Sequence, residues 1–210
     1  GGEGRTPVVA VRNPFARLMA YFQRAWLGRG AKGLAAMADF PLWLEALQAV
    51  HEAGGYGAAL RTGQSVSVRV GGRQITFDIQ DLYHTRPVHQ LLAALFPAEL
   101  AEDLAGVLPR CRRGECWYRR RLFVLHAERL AEDLDLLKLR LCLERGHCQP
   151  VPHVLRLNLR APGQREDAWA FWSSADALRA MQRIHIMYAK DFVLGSYGAN
   201  ATDAAPASPP

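Results

Sequence analysis

The sequence lacks an uninterrupted apolar run long enough to span a membrane, and it has no signal peptide. It begins at Gly1 without a methionine and enters a β-branched run at Val8, which predicts a fragment whose upstream part is missing. We therefore expect any membrane anchor to lie in that upstream part. It also lacks a basic low-complexity tail, so its net charge of +6 favours a nucleotide or an acidic glycan over nucleic acid as the anionic partner.

The sequence also lacks a recognisable phosphate-binding loop. The glycines of residues 1–7 are not part of a Gly-x-x-x-x-Gly-Lys-Ser/Thr loop, and no strand precedes them. Residues 1–7 are predicted as a flexible entry, and residues 199–210, rich in Ala, Pro and Ser, as a disordered tail. That tail contains an Asn-x-Thr glycosylation sequon at Asn200–Thr202. Residues 8–198 are long enough for one domain with a sizeable core.

Cysteine is scarce: the four that occur are Cys111, Cys116, Cys142 and Cys148. They form two closely spaced pairs, which is compatible with two local disulfides, with a zinc site of four thiolates, or with free thiols. Neither pair has the C-x-x-C spacing typical of zinc, so we expect disulfides, an oxidising compartment and no metal.

The most informative stretch is Val8–Trp26. Its β-branched start predicts a buried strand, after which Asn13 suits a helix N-cap and Pro14 the first helical position. Apolar residues at helical spacing then predict one buried face. These residues are Phe15, Leu18, Met19, Phe22 and Trp26.

Arg12 stands at the carboxyl end of this strand, directly before the helix. A helix N-terminus offers free N–H groups and a positive dipole end, and Arg12 adds a planar, permanently charged donor fork. The arrangement predicts a phosphate site. The alternative is a salt-bridged arginine at an ordinary strand–helix junction.

The segment Arg12–Phe22 resembles the 3′-phosphate-binding segment of carbohydrate sulfotransferases. The shared residues are Arg12, Asn13, Pro14, Phe15, Arg17, Leu18, Tyr21 and Phe22. The resemblance implies that Arg12 holds the 3′-phosphate of the donor, 3′-phosphoadenosine 5′-phosphosulfate, and that Arg17 supports the helix or that phosphate. Ala20 stands where the family has a phosphate-binding serine, which removes a hydrogen bond worth roughly 1–3 kcal/mol.

A second match follows in Asp81–Leu92, where His84, Arg86 and Pro87 resemble a His-x-Arg-Pro-Gln element of the family. The resemblance implies that His84 and Arg86 line the acceptor side. His84 and His89 are the local candidates for acid–base catalysis, because histidine titrates near neutrality. The alternative is that both are half-exposed structural histidines beside a turn.

Two later segments also match in order. Val124–Leu134 resembles a strand followed by Glu-x-Leu and an acidic helix, in which Glu128 has a structural role. Tyr188–Tyr197 resembles the terminal YAxDFxxxGY motif, which packs the last helix against the core. In Gln149–Asn158 only Pro152 and His153 follow the family pattern.

Local patterns predict the remaining elements. Asp39 is expected to cap a helix that runs to about Ala53, and alternating apolar residues around Gly71-Gly72 predict an inserted β-hairpin near residues 64–79. A short amphipathic helix is expected at Pro97–Val107. The last helix is predicted over about Ala175–Lys190, with an inner side formed by Leu178, Met181, Ile184, His185 and Tyr188. The basic cluster around Trp117 and Tyr118 predicts either a glycan-binding surface or a solvated face.

Taken together, the resemblance implies an α/β fold: a P-loop-like parallel sheet flanked by helices, with its N-terminal part missing. It implies a sulfotransferase that moves a sulfuryl group from the nucleotide donor to a glycan or proteoglycan hydroxyl. The parent would be anchored in the Golgi membrane with this domain in the lumen. The alternative is a truncated or degenerate sulfotransferase-like protein without catalysis that binds anionic glycans.

Overall fold

The computed structural model describes residues 8–27, 34, 36–95, 123–146, 171–195 and 197. Within these residues the fold is mixed α/β and mostly helical. The elements in chain order are β1 (Val8–Val11), α1 (Pro14–Phe22), α2 (Phe40–Glu52), α3 (Gly55–Thr62), β2 (Val66–Val70), β3 (Arg73–Phe77), α4 (Ile79–Thr85), α5 (Val88–Leu95), β4 (Phe123–His126), α6 (Leu130–Arg145) and α7 (Ala175–Gly195).

The parallel pairing expected from the sequence is present as a small sheet of two strands in the described part of the chain. β1 and β4 run in the same direction, with Val8 opposite Phe123 and Val11 opposite His126. The pair brings Arg12 and the residues that follow His126 to the same edge of the sheet. That edge is the carboxyl end of both strands, where ligands bind in open α/β sheets.

The predicted hairpin is confirmed as β2 and β3, paired antiparallel across Gly71-Gly72. The two glycines have φ angles of 55° and 75°, as a tight turn between twisted strands requires. Its inward side chains, Ile75 and Phe77, are buried in the same core as α1 and α2.

The start of α1 follows the prediction. Asn13 Oδ1 accepts a hydrogen bond from Phe15 N at 2.9 Å, and Pro14 occupies the first turn. The helix continues as a π-helical turn over Gln23–Leu27. All five residues of the predicted apolar face are buried: Phe15, Leu18, Met19, Phe22 and Trp26.

The expectation for Asp39 is wrong in one respect. α2 begins at Phe40, but the Asp39 side chain makes no capping bond to it. The carboxylate accepts from Ala36 N at 3.1 Å and pairs with Arg73 at 3.1 Å. Asp39 therefore stabilises the turn before the helix and the hairpin beside it.

The prediction for α7 is wrong at Leu178. This side chain is 62% exposed, whereas Ala177 and Ala180 are buried. The buried residues of α7 before its end include these alanines, Ile184 and Tyr188. The element ends at Gly195 rather than Lys190, and it is kinked at Tyr188, whose φ of −121° and ψ of 20° are not helical.

The core contains a cluster of aromatic rings from α1, α2, α3, β3 and α7. Trp43 lies between Phe22 and Trp26 at centroid distances of 5.4 and 6.2 Å. Phe15 contacts Phe192 at 5.1 Å, which attaches the C-terminal helix to α1. Aromatic pairs of this kind add about 0.5–1.5 kcal/mol each beyond area burial. No helix among the described residues is long and apolar enough to cross a membrane.

Candidate functional site

Arg12 lies between the end of β1 and the start of α1, and its side chain is partly buried. Within the described part of the chain, the Arg12 guanidinium makes no hydrogen bond or ion pair. Burial lowers the pKa of Arg12 from its ordinary value, against the opposing attraction of Glu128. The side chain therefore places a cation at the carboxyl edge of the sheet, with no hydrogen-bond or ion-pair partner among the described residues.

Glu128 occupies the position at which the sequence predicted free helix N–H groups. Its Oε1 accepts from Asn13 N at 2.8 Å, and its Oε2 accepts from the Tyr197 hydroxyl at 2.9 Å. Phe15 N is satisfied by the Asn13 side chain. The interpretation that α1 begins with free N–H donors is therefore wrong for Asn13 and Phe15. The Glu128 carboxylate places a negative charge near the helix N-terminus, where the helix dipole makes it stabilising.

Tyr197 completes the surroundings of Arg12. Burial, followed by the negative charge of Glu128, raises the pKa of Tyr197 well above its ordinary value, so this hydroxyl remains a hydrogen-bond donor. Because both oxygens of Glu128 are held, its charge is fixed beside Arg12. Any anion that binds Arg12 must tolerate this carboxylate.

Arg17 lies one turn further along α1 and is committed to a partner. Its guanidinium donates to Asp191 Oδ2 at 3.2 Å and lies over the Tyr188 ring at 5.0 Å from the centroid. Its Nε is buried without a hydrogen bond in the described structure. Ala20, three residues on, is partly buried and offers no donor. The geometry of Arg17 thus corresponds to the supporting role that the resemblance allowed.

Asp191 is the most heavily bonded carboxylate of the site. Besides Arg17, it accepts from Val88 N at 2.8 Å and from His89 N at 2.9 Å, which caps α5. The His89 ring Nδ1 lies 2.8 Å from its Oδ1. Burial by itself would raise the pKa of Asp191, but the hydrogen bonds from His89 and the charge of Arg17 outweigh it and lower the pKa. Asp191 therefore joins α7 to α1 and α5 as an anion.

The two other residues expected on the acceptor side lie apart from this carboxylate. His84 is exposed on α4, with its ring 5.2 Å from the Tyr21 ring. Arg86 is partly buried and donates to the Gln90 carbonyl at 3.2 Å. Among the predicted site residues, only Arg17 and His89 share a described partner, which is Asp191.

Sequence reasoning missed Asp191 and the His126–Asp133 pair. Asp133 lies 2.6 Å from His126 Nδ1, and the other ring nitrogen lies 2.8 Å from the Gly195 carbonyl. The available signal for Asp191 was a charged residue between Tyr188 and Phe192, both core aromatics. A carboxylate at such a position is buried with the helix face and must be paired.

Several predicted features lie outside the described residues. These are the helix at Pro97–Val107, the basic cluster around Trp117 and Tyr118, the segment with Pro152 and His153, the sequon at Asn200–Thr202, and the cysteines Cys111, Cys116 and Cys148. Cys142 is disulfide-bonded, and which cysteines pair stays a prediction.

Comparison with known proteins finds no family model, no curated protein and no solved structure that matches this chain.

Proposed function

We propose that this chain carries the 3′-phosphate-binding part of a carbohydrate sulfotransferase. The observation that carries the proposal is Arg12, a partly buried guanidinium that makes no hydrogen bond or ion pair with the described residues, at the carboxyl edge of the parallel strand pair. Removing a cation from water costs free energy unless an anion pairs with it. Phosphate suits arginine because the guanidinium can donate two parallel hydrogen bonds to its oxygens. The fold we propose is a P-loop-like parallel sheet flanked by helices, of which β1 and β4 are two strands.

The roles proposed for the other residues come from the resemblance to carbohydrate sulfotransferases. Arg17 supports α1 through Asp191, and Ala20 leaves one phosphate contact unmade. His84 and Arg86 are assigned to the acceptor side. The reaction would transfer a sulfuryl group from 3′-phosphoadenosine 5′-phosphosulfate to a sugar hydroxyl, with the protein positioning the donor and acceptor in line.

A specific observation also favours a second candidate, a sulfotransferase-like protein without catalysis that binds anionic glycans. Glu128 holds the N–H of Asn13 and places a negative charge beside Arg12. Together with Ala20, it weakens the case for tight nucleotide binding.

Calorimetric titration with 3′-phosphoadenosine 5′-phosphate tests the proposal. We expect binding that Arg12→Ala abolishes and Ala20→Ser strengthens. Arg69→Ala is the matched control, because Arg69 is exposed on β2 and its removal changes the net charge equally. No nucleotide binding by a folded chain would contradict the proposal. Chondroitin binding in that case would support the second candidate.

A further inference from the structure

His89 is held by Asp191 at two points. Its backbone N donates to Asp191 Oδ1 at 2.9 Å, and its ring Nδ1 lies 2.8 Å from the same oxygen. The side chain of His89 is 15% exposed and that of Asp191 is 4% exposed. The ring is therefore fixed in orientation while one side of it reaches solvent.

The carboxylate also fixes which ring nitrogen carries the proton. Asp191 is ionised and can only accept, so Nδ1 of a neutral His89 ring must donate. The other nitrogen, Nε2, then has a free lone pair. This Nε2 atom makes no hydrogen bond within the described structure. It is also not one of the buried side-chain atoms that lack a hydrogen-bond partner.

Two of the other described histidines, His126 and His84, are less suited to accept a proton. Both ring nitrogens of His126 are occupied, by Asp133 and by the Gly195 carbonyl. His84 stacks against Tyr21 and has no carboxylate partner in the described part of the chain. His89 alone among these three combines a carboxylate on one nitrogen with an open position on the other.

We propose that Asp191 and His89 form the proton-accepting pair for the acceptor hydroxyl, an inference that rests on the proposed function. Nε2 of His89 takes the hydroxyl proton as the sugar oxygen forms its bond to sulfur. The bond between sulfur and the bridging oxygen breaks, and its electron pair leaves with the 5′-phosphate of the nucleotide. Asp191 is the positioning residue, and it stabilises the imidazolium that results.

The same carboxylate connects this pair to the nucleotide side. Asp191 Oδ2 accepts from Arg17 of α1, while Oδ1 holds His89 at the start of α5. Among the described residues, Asp191 contacts His89 directly, Arg17 lies on the other oxygen of the same carboxylate, and the charge of His89 acts on His51. Burial, followed by the charge of His89, lowers the pKa of His51, so His51 stays neutral more readily and does not oppose proton transfer.

Nitrogen-15 NMR of the histidine rings in the full chain tests the pair directly. We expect the neutral His89 ring to be the Nδ1–H tautomer in the wild-type protein and a mixture of tautomers in Asp191→Asn. The Nε2–H tautomer in the wild-type protein would overturn the inference. Because Asp191→Asn removes structural bonds, His89→Gln serves as a second variant, and Arg69→Ala on the exposed side of β2 serves as its control.

A ligand experiment separates the inference from the proposed function. In protein saturated with 3′-phosphoadenosine 5′-phosphate, an unsulfated chondroitin oligosaccharide should shift Nε2 of His89 and leave His126 unchanged, because both ring nitrogens of His126 are already bonded. With the sulfated donor, His89→Gln should lower the transfer rate by about 10²- to 10⁴-fold and leave nucleotide affinity unchanged. Wild-type transfer by this variant would overturn the inference alone. A calorimetric failure to bind nucleotide would refute the proposed function, and the inference would fall with it.

Discussion

Replacing Asp191 with asparagine should destabilise the protein more than any surface change on the same helix. The wild-type carboxylate accepts from Arg17, Val88 N, His89 N and the His89 ring. Asparagine has the same shape but only one accepting oxygen, and its NH₂ group would face donors. At least two of these bonds are lost, and Arg17 loses its counter-charge.

The magnitude follows from the burial of the pair. Arg17 and Asp191 are 16% and 4% exposed, and removing one partner of a buried pair costs about 3–5 kcal/mol. Arg17 keeps its contact with the Tyr188 ring, so we expect the lower end, about 3 kcal/mol. For a chain of this size, that corresponds to a fall in Tm of roughly 6–12 °C.

The effect should depend on pH. Because the pKa of Asp191 is lowered in the folded state, the carboxylate adds stability above its unfolded pKa, and that stability is lost as pH falls through the folded value. The difference in unfolding free energy between wild type and Asp191→Asn should therefore be full at neutral pH and shrink below about pH 4.

Urea unfolding followed by tryptophan fluorescence measures these differences. Asp176→Asn on the same helix is the control, because Asp176 is 57% exposed and its ion pair with Arg179 should contribute less than about 1 kcal/mol. If Asp191→Asn and Asp176→Asn unfold at the same urea concentration, the assignment of Asp191 as the central polar contact is refuted.

Three further predictions concern the anion site, the core and the hairpin. Glu128→Gln keeps the shape of the side chain but removes its charge beside Arg12, so nucleotide affinity measured by calorimetry should rise about fivefold, and an unchanged or weaker affinity would contradict the electrostatic argument. Phe15→Ala should cost about 3–5 kcal/mol in urea unfolding, whereas Leu178→Ala, at a 62% exposed position, should change stability by less than about 0.5 kcal/mol. Gly72→Ala should cost about 1–2 kcal/mol from its φ of +75° alone, because an added Cβ would contact nothing, and a neutral effect in the same assay would argue against this turn.

Local rules were sufficient where a sequence pattern acts over a few residues. The cap at Asn13, the buried face of α1 and the turn at Gly71-Gly72 could all be predicted. Each depends on the chemistry of the segment itself: a short polar side chain before Pro14, an apolar repeat of helical period, and two residues that tolerate positive φ.

The failures occurred where the partner decides the outcome. Leu178 was expected inside because it is large and apolar, but it is exposed while Ala177 and Ala180 are buried, and Arg183 of α7 donates to Glu45 of α2. Asp39 is a residue type that commonly caps helices, yet its carboxylate forms an ion pair with Arg73 of the hairpin. Periodicity identifies a helix but does not identify the surface that it meets.

The polar contacts explain why segments far apart in sequence belong to one site. Arg17 and Asp191 are 174 residues apart, and Asn13 and Glu128 are 115 residues apart, yet each pair is joined by a hydrogen bond. Both bonds end on the strand–helix unit that begins at β1, one at its N-cap residue Asn13 and the other at Arg17 within the first half of α1. Arg12 directly precedes Asn13 and makes no bond of its own to the described residues. The two bonds therefore hold the start of α1 in place, and they fix the backbone next to Arg12 without using its guanidinium.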